Sequence, residues 1–138
     1  MARNRGKSFV TIMIAIALTA LLLRVAIEQF INISITQNEA SATGTLKLIS
    51  VALENFAKNN KGVYPSNLGV LTQARPTYLD KNYVSVSPYK GYMYSCPKLD
   101  ATGYICTALP YKCGLTGKTD FSISTGSLFV SEGCEKKE

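Results

Sequence analysis

From Phe9 to Leu23 the chain reads FVTIMIAIALTALLL, fifteen positions without a charge, a glycine or a proline. The apolar face continues through Val25, Ala26, Ile27, Phe30, Ile31, Ile33 and Ile35, and resumes at Leu46, Ile49, Leu53 and Phe56. This pattern predicts one long N-terminal helix that ends near Asn60. At ~1.5 Å per residue such a helix is roughly 78 Å long, more than the width of a compact domain of this size, so one end is expected outside the globular body. A secretory signal peptide would stop soon after its apolar region, at a small-residue cleavage site. This segment runs on instead.

The helix is expected to be softest over Asn32 to Thr45 (NISITQNEASATGT), where β-branched, small polar and glycine residues are weaker helix formers. Beyond it, Leu46, Ile49, Leu53 and Phe56, with Ala52 and Ala57 beside them, recur at i, i+3, i+4, i+7 spacing and form the stripe that packs on the globular part. Lys47, Glu54 and Lys58 fall elsewhere on the wheel and read as solvated. Asn59, Asn60, Lys61 and Gly62 stop the helix, with Gly62 suited to a left-handed cap and Pro65 following. Ser66 is expected to cap a short helix through Asn67 to Thr72, broken before Pro76. Tyr78 to Tyr89 reads as an irregular connector with one extended piece, Tyr83 to Val86.

After Gly91 the period falls to two. Tyr92 to Cys96 and Tyr104 to Leu109 flank Pro97 to Gly103 as a hairpin with a long turn, and Asp120 to Ser124 and Ser127 to Ser131 flank a two-residue Thr125-Gly126 turn. The predicted fold class is α+β, a long N-terminal helix whose distal half packs on a small antiparallel sheet of about four strands.

Composition changes this picture in three places. The formal charge is +6, from 15 Lys plus Arg against 9 Asp plus Glu, but Arg3, Arg5 and Lys7 lie in the short leader MARNRGKS. Without them the excess is mild. There is no histidine, which removes the commonest general base and every Ser-His or Cys-His nucleophile pair, so the chain reads as a non-enzyme. No residue suggests a cofactor.

The four cysteines, Cys96, Cys106, Cys113 and Cys134, all fall in the last third and point to two disulfides made in an oxidising compartment. Three pairings are possible. In a hairpin centred on residue 101, Cys96 and Cys106 sit opposite one another. Cys134 can then return to Cys113 and close a loop of about twenty residues, stabilising it by ~3 kcal/mol. Zinc would need an all-Cys site without a C-x-x-C knuckle and ranks below disulfides.

Positive charge ahead of an apolar stretch holds that end in the cytoplasm, with the remainder across the membrane. The uncharged run ends at Arg24, short of the ~20 residues that span comfortably, but Arg24 can snorkel and Val25 to Ile27 extend the apolar length. Glu28, four residues on, shares its face. The pair reads first as an ion pair marking the membrane exit and second as a contact with a neighbouring helix.

The order of parts resembles a type IV pilin or a pseudopilin of type II secretion. Ser8-Phe9-Val10-Thr11-Ile12-Met13-Ile14 is similar to the family's processing motif, with Phe9 as the first mature residue. NNKGVYPSNLGVL is similar to the segment that ends the helix, and GLTGKTDFSISTGSLFVS to the closing hairpin. The resemblance implies a basic leader over residues 1–8, a transmembrane and assembly half of the helix over 9–31, and a pilin-like domain over 32–138. It implies a structural subunit of a pilus or secretion pseudopilus, cut between Ser8 and Phe9 by a prepilin peptidase and methylated on the Phe9 amine. Partners would be membrane lipid before assembly, the inner-membrane assembly platform, and other pilin or pseudopilin subunits that meet through a helix face carrying Phe9, Met13, Arg24 and Glu28. Location would be the bacterial inner membrane, single-pass, and then a periplasmic or cell-surface filament.

Two positions depart from the family pattern. Ser8 stands where glycine usually precedes the cut, and Met13 where the fifth mature residue is usually a glutamate that pairs with the amino terminus of the adjacent subunit. Met13 cannot make that pair, which shifts the expectation toward a minor or tip subunit. The alternative is a signal-anchored periplasmic or extracellular binding domain that does not polymerise. Its ligand face would be Tyr78, Tyr83, Tyr89, Tyr92 and Tyr94 beside Lys81 and Lys90, although ordinary packing accounts for tyrosines on a small sheet. A third reading, a minor pilin for DNA uptake, would use Lys112, Lys118, Lys136 and Lys137. Asp120, Glu132, Glu135 and Glu138 lie among these, which argues against nucleic acid.

Overall fold

The computed structural model describes residues 3–136, with side chains from residue 6 onward. The leader's Met1 and Ala2, the side chains of Arg3 and Arg5, and the charged residues Lys137 and Glu138 lie outside the described residues. Two compact units result, one ending at Ile33 and the other running from Ser34 to the C-terminus.

Helix α1 spans Arg3–Asn59 and so begins inside the basic leader rather than at Phe9. In the first unit it stands alone, and every residue from Gly6 to Phe30 is exposed. Ten large apolar residues between Phe9 and Leu23 keep 54% to 68% of their surface accessible. This stretch is long and apolar enough to cross a membrane.

In the second unit the same helix changes character. Leu46, Ile49 and Leu53 are fully buried, with Phe56 half-buried beside them, so the stripe at helical spacing is the one that packs on the sheet. The weak helix formers of 32–45 do not interrupt α1, and within that stretch Ile35 and Ala42 are buried. Tertiary packing outweighs propensity there. The helix closes as a Schellman motif, the Gly62 N–H donating to the Ala57 carbonyl at 2.7 Å. Both Lys61 (φ 59°) and Gly62 (φ 81°) are left-handed, so a lysine shares the position expected of the glycine alone.

Helix α2 is Leu68–Gln73, and its cap is Asn67, not Ser66: the Asn67 Oδ1 accepts from the Val70 N–H at 3.2 Å. The extended piece expected at Tyr83 to Val86 is a turn. Asn82 Oδ1 accepts from the Val84 and Ser85 N–H groups at 3.2 and 3.3 Å, which curls the backbone where β-branched residues alone suggested extension.

Four strands follow, β1 (Tyr92–Asp100), β2 (Gly103–Pro110), β3 (Thr119–Ser124) and β4 (Leu128–Gly133), as an antiparallel sheet in that order. The fold is α+β, with the distal part of α1 laid on one face of the sheet. Tyr92, Tyr104, Ala108 and Ile123 point inward and are buried, while Met93, Ile105, Leu109 and Val130 alternate outward.

Two turns differ from expectation. The register that pairs Tyr92 with Pro110 and Ser95 with Thr107 shifts by one beyond Ser95, so that Lys98 faces Ile105. Cys96 and Pro97 form the bulge, and β1 resumes to Asp100, leaving Ala101-Thr102 as the turn instead of the long loop from Pro97 to Gly103. Proline lacks the N–H for a ladder, and β1 is an edge strand, where such a bulge is tolerated. In the second hairpin Ser124 faces Leu128, so the loop is Thr125-Gly126-Ser127, three residues with Gly126 and Ser127 at φ 80° and 61°.

Candidate functional site

An α-helix advances about 100° per residue, which sets the geometry of the first unit. On that wheel Phe9, Met13, Arg24 and Glu28 fall within about 100° of one another, one face of α1. Phe9 is 64% and Met13 56% exposed. The Ser8–Phe9 peptide lies inside the helix. A peptidase acting there has to unwind it first.

Arg24 Nε stands 3.5 Å from Glu28 Oε1, an i,i+4 pair within the helix with both side chains well exposed. The polar atoms of the apolar stretch are also self-contained. Thr11 Oγ1 donates to the Lys7 carbonyl and Thr19 Oγ1 to the Ala15 carbonyl, each at 2.7 Å. A hydroxyl bonded to its own helix carries no unpaired donor into a medium without water. A shallow apolar groove of Ile12, Ala15, Ile16, Thr19, Ala20 and Leu23 runs along the neighbouring face.

The second unit holds the tyrosine and charge clusters. Tyr83, Tyr92 and Tyr94 are buried, while Tyr78 and Tyr89 are half-buried. Tyr83 packs edge-on against Tyr89 with centroids 5.5 Å apart, and its hydroxyl donates to Asp80 at 3.0 Å. Burial, then the Asp80 bond, pushes the Tyr83 phenol up to about 12. Burial raises the Tyr104 and Tyr94 phenols as well. Most of the tyrosine set is therefore core; Tyr89 with Lys81 and Lys90 presents polar groups outward, as does the Tyr78 hydroxyl, which accepts from Asn59 Nδ2 at 2.9 Å. Lys112, Lys118 and Lys136 are exposed, as are Glu132 and Glu135, with half-buried Asp120 between them.

Cys96 is bonded to Cys106 and Cys113 to Cys134. The first joins β1 to β2 at the bulge. The second ties the loop after β2 to the end of β4, where the Cys134 N–H also donates to the Lys118 carbonyl at 2.9 Å.

One polar network escapes a reading by helical wheel. Glu54, expected to be solvated, is a hub: its Oε1 accepts from the Tyr104 hydroxyl at 2.9 Å and the Gly126 N–H at 2.8 Å, and its Oε2 from the Tyr64 hydroxyl at 3.0 Å. Ser50, fully buried one turn earlier, meets the Tyr104 and Ser127 hydroxyls at 2.8 and 2.7 Å. Further toward the N-terminus, Asn38 Nδ2 donates to the Thr116 carbonyl at 3.0 Å, and Glu39 accepts from the Lys118 N–H at 2.8 Å. Two sets of polar bonds thus pin α1 to the loops at either end of β3. The i,i+4 spacing of Ser50 and Glu54 was the one available signal, and it names no partner.

No protein-family model, curated protein or solved structure matches the chain.

Proposed function

We propose that the chain is a structural subunit of a type IV pilus or type II secretion pseudopilus-like filament, first held in the bacterial inner membrane and then assembled by packing of N-terminal helices. The observation that carries this reading is the division of α1 into two parts. Its distal part buries one stripe on the sheet, while all residues from Gly6 to Phe30 are exposed. At ~1.5–3 kcal/mol for full burial of a large apolar side chain, half-covering the ten between Phe9 and Leu23 is worth on the order of 10 kcal/mol. Water is therefore the wrong medium for this stretch.

Lipid meets that demand before assembly, with the basic leader on the cytoplasmic side. Helix packing then replaces lipid. Lipid tails are as apolar as leucine, so the exchange depends on close contact, for which the groove of Ala15, Thr19 and Ala20 offers small residues. Met13 leaves the stretch free of charge, so no acid needs a neighbour's amino terminus, which suits a minor or terminal subunit. The prepilin peptidase and the inner-membrane assembly platform would be the processing and assembly partners.

N-terminal sequencing of protein from native membranes tests this. The expected result is a methylated Phe9 at position one. A chain that still begins at Met1 or Ala2 would refute processing and, with it, assembly.

A further inference from the structure

Among the described residues no helix or strand covers the face of the sheet turned away from α1, although Tyr111, Cys134 and Glu135 border it. Across it, Met93 on β1 faces Leu109 on β2, and Asp120 on β3 faces Glu132 on β4, while Val130 lies in the next row opposite Ser122. Met93, Leu109 and Val130 are each 45% to 46% exposed. Two adjoining clefts share Leu109 and Asp120, one of about 230 Å³ toward Val130 and Glu132, the other of about 410 Å³ toward Met93, Tyr111 and Glu135. Lys118 and Lys136 stand near by in the chain, but these carboxylates form no ion pair: among the described residues the only one is Arg24–Glu28. Burial first, then Glu132 and Glu135, holds the Asp120 carboxyl above its usual range.

A complementary corner lies at the opposite edge of the sheet. Tyr89 and Tyr92 exchange backbone bonds at 2.8 and 3.1 Å across the two-residue turn Lys90-Gly91, which stands at the head of β1. Both turn residues are left-handed, φ 46° and 78°. Glycine adopts this freely and lysine does not, so Lys90 occupies a place that glycine, asparagine or aspartate would fill more easily. The turn holds Lys90 Nζ 5.3 Å from the Tyr89 ring centroid, and Lys81 Nζ sits 4.3 Å from the same ring. The nearby Asp80 is engaged by the Tyr83 hydroxyl. The result is two ammonium groups gathered on one half-exposed tyrosine, hydrogen-bonded to its hydroxyl and, among the described residues, without a carboxylate partner.

We propose that the apolar and acidic outer face around Leu109, Asp120, Val130 and Glu132 docks the Lys81, Tyr89 and Lys90 corner of a second copy of this chain. The chemistry matches group by group. A tyrosine ring with lysine stems covers Leu109 and Val130, and two ammonium groups meet the Asp120 and Glu132 carboxylates, which make no ion pair among the described residues. Lys90 heads the edge strand β1, while Asp120 on β3 and Glu132 on β4 lie two and three strand spacings away, ~10 and ~14 Å. Two copies that exchanged both contacts would close as a two-fold pair; the filament reading requires instead that each copy give its acidic face to one neighbour and its basic corner to another, a head-to-tail contact that propagates. It rests on the filament reading and supplies that filament with a contact outside its helical core.

The test uses the full chain in membranes of cells that express isotopically light and heavy copies together. A zero-length carbodiimide reagent joins lysines to carboxylates, and peptides are read by mass spectrometry. Mixed light-heavy peptides linking Lys81 or Lys90 to Asp120 or Glu132 are expected. Lys81→Glu with Lys90→Glu should reduce them at least about tenfold, and combining that pair with Asp120→Lys and Glu132→Lys should restore linkage at the same positions with the roles exchanged. A photo-reactive residue at Leu18 reports helix contacts between copies separately. Helix contacts without lysine–carboxylate pairs, or lysines linked only to a different protein, would overturn the docking proposal and leave the filament standing. Lysine–carboxylate pairs without helix contacts would support docking and overturn the filament. Loss of both would overturn both.

Discussion

Replacing Glu54 by alanine tests whether the polar hub holds α1 to the sheet. The carboxylate accepts three bonds, from Tyr104, Gly126 and Tyr64. A hydrogen bond to a charged group contributes ~1.5–3 kcal/mol net, but the three donors do not lose equally. Gly126 is exposed and Tyr64 half-buried, so water replaces much of what they lose. Tyr104 is fully buried, and its hydroxyl loses its one charged acceptor, keeping neutral contacts with Ser50 at 2.8 Å and with the Ser127 backbone. The expected cost is therefore about one charge-assisted bond, less a few tenths for alanine's better helix propensity, or ~2 kcal/mol. For a body of this size that lowers Tm by about 10 °C. Circular dichroism on the full chain in detergent measures it, with Glu54→Gln expected to recover roughly half and the exposed Lys58→Ala to stay within ~0.5 kcal/mol of the parent. Should Glu54→Ala also stay within that margin, the carboxylate is merely solvated and the hub contributes nothing.

Other outcomes follow from the same geometry. Gly117→Ala would drive a methyl into the fully buried Tyr92 ring, whose nearest ring carbons stand 2.6 and 2.7 Å from the new atom, and is expected to cost ~1–3 kcal/mol in urea unfolding; a neutral result would mean that the loop yields. Removing Cys113–Cys134 by paired serine substitution frees a 21-residue separation and should cost ~3 kcal/mol, read as a lower urea midpoint. Alkaline titration should split the eight tyrosines. Because the folded Tyr83 phenol lies near 12, above its ordinary 10.0, its contribution to stability is complete below pH 10 and lost as pH rises through about 12. Tyrosinate absorbance that rises for all eight together near pH 10, with the fold intact, would contradict this.

How much of this was legible in the sequence depends on the range of the interaction. The helix, its Leu46, Ile49, Leu53 stripe and the strands are encoded by periods of a few residues, which the chain displays locally. Turn details were lost where a side chain competes for the backbone. Asn82 curls a stretch that β-branched residues marked as extended, and the Cys96-Pro97 bulge hides three further residue pairs of β1 behind a proline that reads as a stop. Glu54 was lost for another reason. Two of its partners lie 50 and 72 positions away, so no local pattern distinguishes it from the solvated Lys58 on the same helix. The same holds for the outer-face acids, which become a set only when β3 and β4 pair.

The measurement that bears most directly on the central claim is photo-cross-linking from Leu18, 56% exposed in the middle of the apolar stretch, carried out first on newly made protein in membranes and then on assembled material. The account predicts adducts to lipid in the first case and to the helix of another subunit in the second. Adducts that remain with lipid throughout would describe a permanent anchor and contradict the account, as would adducts that join Leu18 to its own chain's Ser34 to Lys136 body.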